Sequence, residues 1–381
     1  MKSKEISAFL QERINAKDFP SAVYLVAEKG EIVLQDALGF AVVEPEKIVA
    51  KIDTIYDLAS LTKPLVAGLL WAKLFEKGEI NLSDEIAKYF PEFDTNEKRG
   101  ITIENLLTHT SGFRAWKPFY LTENGKRETE NVKRKILELI GKEILEYPLN
   151  SKVVYSDLNF ITLGFLLEKV FAESLDEIAK REIFVSLNLQ NTFYNPPQNL
   201  QKRIAASENG NIFEQQLSVG QGFIEKKIRN LKSKIQNRII WGKVHDGNAR
   251  FMNGVSGHAG LFANAFETFK FAQQFLAEET ILLKPETCRL FRTNFTPNLN
   301  EARSVAFQLA ETKDSTASNA LSKDSFGHLG FTGTSLWIEP ETERIFILLT
   351  NRTHARQSPF VNINSVRRKF NELAAKMLNA R

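Results

Sequence analysis

Residues 57–77, DLASLTKPLVAGLLWAKLFEK, decide the fold, because a short polar cluster leads directly into a helix that is apolar almost all round. A helix without a polar face is buried inside a protein rather than lying on its surface. Pro64 is tolerated only in the first turn of a helix, so this helix must begin at about Ser60. Gly78 is a good terminator. The stretch therefore predicts a central buried helix that opens on Ser60.

Ser60 and Lys63 form an S-x-x-K element at the start of this helix. Positions i and i+3 share one face of a helix, so the lysine ammonium can reach the serine hydroxyl. The first turn also offers free backbone N–H groups, which stabilise a developing oxyanion. A neutral lysine would accept the serine proton, whereas a charged lysine would stabilise a nearby phenolate. On its own, however, such a pair is typical of a protein surface.

Two further short segments carry side chains suited to the same chemistry. Tyr155-Ser-Asp157 lies between the strand-like residues 152–154 and a following helix. A tyrosine can act as a general base if a nearby cation lowers its pKa from about 10. Later, residues 327–333, GHLGFTG, precede a strand; their glycines permit close approach of a ligand, and His328 can contact that ligand. The alternative interpretations are a core tyrosine and a turn histidine.

Taken together and in this order, the three segments resemble the motifs of the penicillin-recognising serine hydrolases. More narrowly, the chain resembles the class C β-lactamase group, which includes esterases and D-amino-acid peptidases. The stretches 57–60 (DLAS), 106–112 (LLTHTSG) and 254–262 (GVSGHAGLF) are similar to family segments as well. The resemblance runs from about residue 20 to residue 352. Each motif is weak alone, whereas the whole set is specific.

The resemblance implies an acyl-enzyme mechanism that uses no cofactor and no metal. In that mechanism Ser60 is the acylated nucleophile, Lys63 is its partner and Tyr155 is the general base. The backbone N–H groups of Ser60 and Phe331 would form the oxyanion hole. The implied substrate contacts are Asp157, His328 and Gly330.

The resemblance also implies an α+β fold of the β-lactamase/transpeptidase type, with an antiparallel sheet flanked by helices and a mostly helical second lobe. Hairpins predicted at 22–35 and 335–350, near the two chain ends, agree with one such sheet. We expect residues 1–80 and 280–381 to build the sheet-containing lobe and residues 81–279 the helical lobe, with the active site in the cleft between. Further helices are predicted near the N-terminus and at 132–146, 158–172, 174–182, 265–278 and 363–378.

Two residues depart from the family pattern. Asp157 replaces the usual asparagine, and its charge favours a charged Lys63, which makes Tyr155 the expected proton acceptor. His328 replaces the lysine that is typical of true β-lactamases. Because histidine is mostly neutral at pH 7, it anchors a substrate carboxylate less well than lysine does. Both changes argue against efficient penicillin hydrolysis.

We therefore predict a serine hydrolase that acts through an acyl-enzyme on a small-molecule ester, amide or peptide. We rank an esterase or amidase first, a D-amino-acid peptidase second and a β-lactamase third. The rival interpretation is a binding module that has lost turnover and holds peptidoglycan fragments or an acyl ligand. The joint presence of Ser60, Lys63 and Tyr155 argues against that rival.

Composition excludes several other classes of protein. In 381 residues, 50 Lys and Arg against 46 Asp and Glu give a net charge of +4, which requires no nucleic-acid partner. The one cysteine, Cys288, excludes an intrachain disulfide and a multi-cysteine zinc site. No window approaches the roughly 18 apolar residues of a membrane span, and no signal peptide is visible. We expect a cytoplasmic protein, or a periplasmic or extracellular one if a leader was removed.

Other polar features receive simpler interpretations. His245-Asp246 and His258 lack the H-x-x-x-H or H-E-x-x-H spacing of metal sites, so we expect no metal and place them at the cleft rim without a defined role. His109 is interpreted as a structural residue of its turn. The basic amphipathic stretch 225–240 is interpreted as a solvated helix face, with an acidic binding surface as the alternative.

Overall fold

The computed structural model describes residues 4–122, 132–223, 239–356 and 360–381. Its main feature is a seven-stranded antiparallel sheet with the strand order β3-β2-β1-β10-β9-β8-β7, and a small sheet has the order β4-β6-β5. Both predicted hairpins are confirmed, as β1–β2 and β9–β10. The strands are β1 Ser21–Glu28, β2 Glu31–Val42, β3 Ile48–Val49, β4 Tyr56–Asp57, β5 Phe193–Tyr194, β6 Leu261–Ala263, β7 Gln308–Leu309, β8 Phe326–Leu329, β9 Ser335–Glu339 and β10 Arg344–Thr350.

The two ends of the chain meet in the middle of the large sheet, as the hairpin pattern predicts. Strand β1 pairs with β10 from Ala22 opposite Thr350 to Glu28 opposite Arg344. Successive side chains point to opposite faces, so each strand contributes to two hydrophobic clusters. One face carries Tyr24, Val26, Phe346 and Leu348, and the other carries Val23, Leu25, Ile345 and Ile347.

Helices cover both faces of this sheet. The first and last helices pack together on one face, and the helix Ala265–Gln273 packs on the other against β1 and β10. The helices are α1 Lys4–Asn15, α2 Leu69–Lys77, α3 Ile103–Leu107, α4 Phe119–Thr122, α5 Val132–Gly141, α6 Asp157–Phe171, α7 Leu175–Ala179, α8 Ile212–Gly220, α9 Gly247–Phe251, α10 Ala265–Gln273 and α11 Asn364–Asn379. None of the helices within the described ranges has both the length and the apolar character needed to cross a membrane.

The helix predicted after Ser60 is present and buried. It begins as a 3₁₀ turn at Ala59–Leu61, continues as a wide π-helical turn at Lys63–Gly68 and becomes regular in α2. Pro64, which has no N–H to donate, lies in the wide turn, and such turns are frequent at functional sites. Gly78 ends the helix in the left-handed conformation, with φ +68°, as expected of a C-cap glycine.

Several predicted boundaries change in the structure. Residues 152–154 form no strand; their backbone is held instead by the amide side chain of Asn300, which bonds both polar groups of Val153. The helix predicted at 132–146 ends at Gly141, because glycine is a poor helix former. Apart from its last two residues, the basic stretch 225–240 lies outside the described residues.

The expected division into two lobes stays a prediction, and the position of one helix disagrees with the expected boundary. Helix α10, which the boundary at residue 279 assigns to the helical lobe, packs on the large sheet. The segment between β4 and β5 is mostly helical, with the buried α6 at its centre. The helix that opens at Ser60 contacts α6, and its first turn contacts the end of the large sheet at β8. Ser60 therefore lies where the helical segment meets the sheet.

Three residues between β8 and β9 tie the large sheet to the turn before Ser60. The hydroxyl of Thr332 donates to the carbonyl of Asp57 at 2.8 Å, and that of Thr334 donates to the carbonyl of Leu58 at 3.0 Å. Gly330 makes this approach possible, because a Cβ atom there would lie 2.7 Å from the Leu58 carbonyl oxygen and 2.0 Å from the Thr334 hydroxyl. The glycine thus brings two parts of the protein together, and the expectation that it also lets a ligand approach stays a prediction.

Gly330→Ala is expected to lower the free energy of unfolding by about 1–3 kcal/mol, since the new methyl group overpacks a backbone contact. Urea denaturation measures this change. Gly220→Ala is the matched control, because a Cβ atom there meets nothing within 4 Å. A Gly330→Ala protein as stable as the Gly220→Ala control would contradict the proposed contact.

Candidate functional site

Two cavities meet at Ser60. The larger, of about 520 Å³, extends toward the end of the large sheet, and the smaller, of about 290 Å³, extends toward α8 and α9. Residues that line both cavities are Ser60, Tyr155, Phe213 and Phe331. The structure therefore brings Ser60 and Tyr155, which are 95 positions apart by the numbering, to one cleft.

Lys63 is completely buried beneath Ser60 and uses three hydrogen bonds. Its Nζ atom donates to Ser60 Oγ at 3.0 Å, to Asp157 Oδ1 at 2.7 Å and to the carbonyl oxygen of His258 at 3.0 Å. An ammonium group has three donors, so every one of them is satisfied. The predicted proximity of Lys63 and Ser60 is confirmed, and Asp157 contacts the lysine as its charge suggested.

Burial and the partner side chain have opposite effects on the pKa of Lys63 and on that of Tyr155. Burial lowers the pKa of Lys63, but the interactions with Asp157 and Tyr155 together outweigh burial and raise that pKa above its ordinary value. Burial raises the pKa of Tyr155, and the opposing effect of Lys63 does not cancel the rise. Lys63 thus acts on the phenol in the predicted direction, yet the resting pair at neutral pH is an ammonium and a neutral phenol.

Tyr155 is packed between aromatic and cationic neighbours. Its ring centroid lies 4.6 Å from that of His109 and 5.7 Å from that of His328, and Lys63 Nζ lies 4.9 Å from it. The phenol oxygen is buried and has no hydrogen-bond partner in the part of the chain that the structure describes. Lys63 and Ser60 nevertheless lie close enough to lower the pKa of the phenol, so both side chains are neighbours of this oxygen.

The turn before Ser60 holds a strained backbone. Ala59 has a φ of +48°, which costs energy for any residue with a Cβ atom. The carboxylate of Asp57 accepts from the N–H of Ala59 at 2.9 Å and from the N–H of His245 at 2.7 Å, so it stabilises this turn. Ser60 is the second residue of the turn, where a backbone N–H has no partner within its own helix.

Phe331 lies beside the same turn and is fixed on several sides. Its carbonyl accepts from Arg352 Nε at 2.7 Å, and its ring lies 4.9 Å from that of Phe213 and 5.3 Å from that of His245. The next residue, Thr332, is bonded to the turn that precedes Ser60. This arrangement suits a second oxyanion donor, although the oxyanion-hole assignment stays a prediction.

His328 and Gly330 both line the larger cavity. His328 Nδ1 lies 3.0 Å from the Leu329 carbonyl, so this nitrogen carries the proton and Nε2 is an acceptor. Burial, together with Lys63 and Arg303, keeps the pKa of His328 well below its usual range, so the ring is neutral. Its Nε2 atom finds no partner among the described residues and is suited to a substrate donor.

Three arginines of the larger cavity were missed by the sequence reasoning. Arg367 Nη2 donates to the carbonyls of Gly330 at 2.8 Å and Thr334 at 2.9 Å, and Arg303 pairs with Glu301 at 2.6 Å. The third is Arg352, which bonds to Phe331. Burial lowers the pKa of Arg367 to about 9 and that of Arg352 to about 10, so both remain charged at neutral pH. A cation two residues after the end of the apolar strand β10 was the available signal for Arg352.

The histidines without an assigned role occupy the smaller cavity or its wall. His245 and Asp246 line it, as expected for a cleft rim, whereas His258 is buried behind it. One carboxylate oxygen each of Asp157 and Asp246 and one nitrogen of His258 lie within 4.8 Å of one another. Both carboxylates already have partners, because Asp157 pairs with Lys63 and Asp246 with His258 at 2.9 Å.

Comparison with known proteins identifies the family of this chain. Residues 6–367 match the family model described as Beta-lactamase. Among curated relatives, the "Putative D-alanyl-D-alanine carboxypeptidase" of Escherichia coli K12 is 31% identical over 93% of this chain and 85% of its own length. A protein of the same name from Salmonella agona is 32% identical over 95% of this chain and 86% of its own length.

Solved structures agree in fold. EstCE1, described as a hydrolase with promiscuous acyltransferase activity, has a TM-score of 0.73 at 18% identity, with 97% of this chain and 98% of that chain covered. A class C β-lactamase from Rhodobacter sphaeroides has a TM-score of 0.71 at 17% identity, with 98% and 100% covered. The predicted α+β fold is therefore confirmed, and the chain belongs to the β-lactamase family of serine hydrolases.

Proposed function

We propose that this serine hydrolase is a peptidase that removes a terminal amino acid bearing a free carboxylate, with Ser60 as its nucleophile. Ser60 Oγ attacks the scissile carbonyl, and the N–H groups of Ser60 and Phe331 stabilise the oxyanion. The carbon–nitrogen bond then breaks, and the leaving amine takes the proton that Ser60 released. Water hydrolyses the resulting ester and regenerates the hydroxyl of Ser60.

The serine proton needs an acceptor, which the resting site does not provide. Lys63 is charged and the phenol of Tyr155 is protonated, since the pKa of each is raised. The coupled pair must therefore lose one proton before the attack, and the deprotonated pair then accepts the proton of Ser60. Tyr155 is the proposed acceptor, because Lys63, which Asp157 holds as an ammonium, has no lone pair that could take the proton.

The arginines of the larger cavity are the observation that favours a substrate with a free carboxylate. Arg352 and Arg367 have no carboxylate partner in the described part of the chain and bond instead to carbonyl oxygens. Charges withdrawn from water are costly unless they are paired, so an anionic substrate group is favoured beside them. A planar carboxylate suits the fork of a guanidinium. This observation moves the peptidase ahead of the simple esterase in our ranking.

The relatives named as D-alanyl-D-alanine carboxypeptidases support this substrate class, because their named substrate ends in a carboxylate. The smaller cavity would take the acyl part, and its walls include Ala59, Ala115, Trp116, Phe213 and Leu217. Its volume of about 290 Å³ limits that part to a short group. An esterase is the second candidate, since these walls also suit a neutral acyl chain.

Capping the substrate carboxylate tests the peptidase proposal without changing the protein. We expect kcat/KM for a peptide ending in D-alanyl-D-alanine to fall by about tenfold or more when its terminus is amidated, which corresponds to about 1.4 kcal/mol or more. A neutral short-chain p-nitrophenyl ester serves as the control for nucleophile activity. Equal turnover of the free and amidated peptides, with the ester hydrolysed, would favour the esterase.

The pH dependence and a Tyr155→Phe variant test the proposed proton acceptor. Because the pKa values of Lys63 and Tyr155 are raised, the deprotonated pair is scarce at neutral pH. Single-turnover acylation should therefore rise with pH by about tenfold per unit below one apparent pKa of the pair. Tyr155→Phe keeps the ring and should slow acylation by about a hundredfold or more.

A fluorophosphonate probe provides the control, because it should label wild-type protein and fail to label Ser60→Ala. If the acylation rate of Tyr155→Phe stays within threefold of wild type between pH 6 and pH 9, another group takes the serine proton.

A further inference from the structure

His109 holds the segment that carries Tyr155 by two hydrogen bonds, one on each side of the tyrosine. Its carbonyl oxygen accepts from the N–H of Val154 at 2.9 Å. Its ring nitrogen Nδ1 accepts from the N–H of Ser156 at 3.0 Å. A ring nitrogen that accepts from a backbone N–H is unprotonated, so the proton of this neutral imidazole lies on Nε2.

The ring of His109 also contacts the ring of Tyr155. It is buried, and its centroid lies 4.6 Å from that of Tyr155 at an interplanar angle of 39°. Asn159 Nδ2 lies 3.3 Å from the same Nδ1 atom and gives the ring a second polar neighbour. Burial keeps the pKa of His109 well below its usual range, which preserves the acceptor nitrogen at neutral pH.

The backbone of His109 is strained, as is common for residues that hold a functional site in place. Its φ of +61° lies in the left-handed region, which is uncommon for residues other than glycine. Such strain persists only when the surroundings impose it, and it is concentrated at functional sites. Downstream, the N–H of Asp157 donates to the Ala115 carbonyl at 2.9 Å, so the pairing continues past Tyr155.

We propose that His109 is a positioning residue for the reaction, which fixes Tyr155 beside Lys63 through its Nδ1 bond to Ser156. This inference rests on the proposed function, because it assumes that Tyr155 takes the serine proton. His109 is not among the residues that line the two cavities, so we expect its effect to reach the chemistry through Tyr155. The sequence interpretation of His109 as purely structural is thereby extended.

Two substitutions separate the acceptor nitrogen from the bulk of the ring. His109→Phe keeps an aromatic ring against Tyr155 but removes the acceptor for Ser156. His109→Asn places an oxygen near the position of Nδ1 and tolerates a positive φ, but removes the ring. Single-turnover acylation should fall by about tenfold or more in His109→Phe with little change in KM, and His109→Asn should stay within about threefold of wild type.

A double-mutant cycle with Tyr155→Phe decides whether the effect passes through the tyrosine. In the Tyr155→Phe background, His109→Phe should slow acylation by less than about twofold further. A full tenfold loss in that background, or equal losses in His109→Phe and His109→Asn, would overturn the inference. If Tyr155→Phe alone is fully active, the proposed proton acceptor fails instead, and the two failures are thereby distinguished. Urea denaturation of each variant shows whether the protein remains folded.

Discussion

The buried ammonium of Lys63 is the interaction on which the site depends. A lysine withdrawn completely from water is stable only if its charge and its three donors are compensated. The compensation comes from Ser60 in the same turn and from two distant parts of the chain, Asp157 at the start of α6 and the carbonyl of His258. Satisfying this one cation therefore requires the helical segment and the turn after β4 to be assembled around it.

The large sheet contributes the other half of the site. Strands from both chain ends pair in the middle of the sheet, and the residues after β8 are bonded to the turn before Ser60 through Thr332 and Thr334. Gly330 permits this approach because it has no Cβ atom. The backbone next to Ser60 is thus held by contacts between the two layers. In the same segment the carbonyls of Gly330 and Phe331 accept from Arg367 and Arg352. One segment therefore contacts both the arginines of the larger cavity and the turn before the nucleophile.

Much of this arrangement was predictable from the sequence because it depends on local pattern. The hairpins at both chain ends, the buried helix after Ser60 and its stop at Gly78 follow from periodicity, proline and glycine. Ser60, Lys63, Tyr155, Asp157 and His328 were identified by motifs, and the structure places them around one cleft.

The sequence was less informative where long-range packing decides the outcome. Residues 152–154 are strand-like in composition, but they bond to Asn300 and His109, which no local pattern indicates. Arg303, Arg352 and Arg367 were missed, because a single arginine looks the same in sequence whether it is solvated or buried beside a nucleophile. The protonation state of Tyr155 could not be predicted from the sequence either, since burial raises the pKa of the phenol by more than Lys63 lowers it.

The most direct test of the central claim is the pH profile of acylation in Asp157→Asn. Asparagine keeps an oxygen that can accept from Lys63, but it removes the negative charge that raises the pKa of both Lys63 and Tyr155. If a coupled Lys63–Tyr155 pair accepts the serine proton, the apparent pKa for acylation falls by about one unit or more. An unchanged or higher apparent pKa would contradict the account, because the charge of Asp157 would then have no influence on the group that takes the proton.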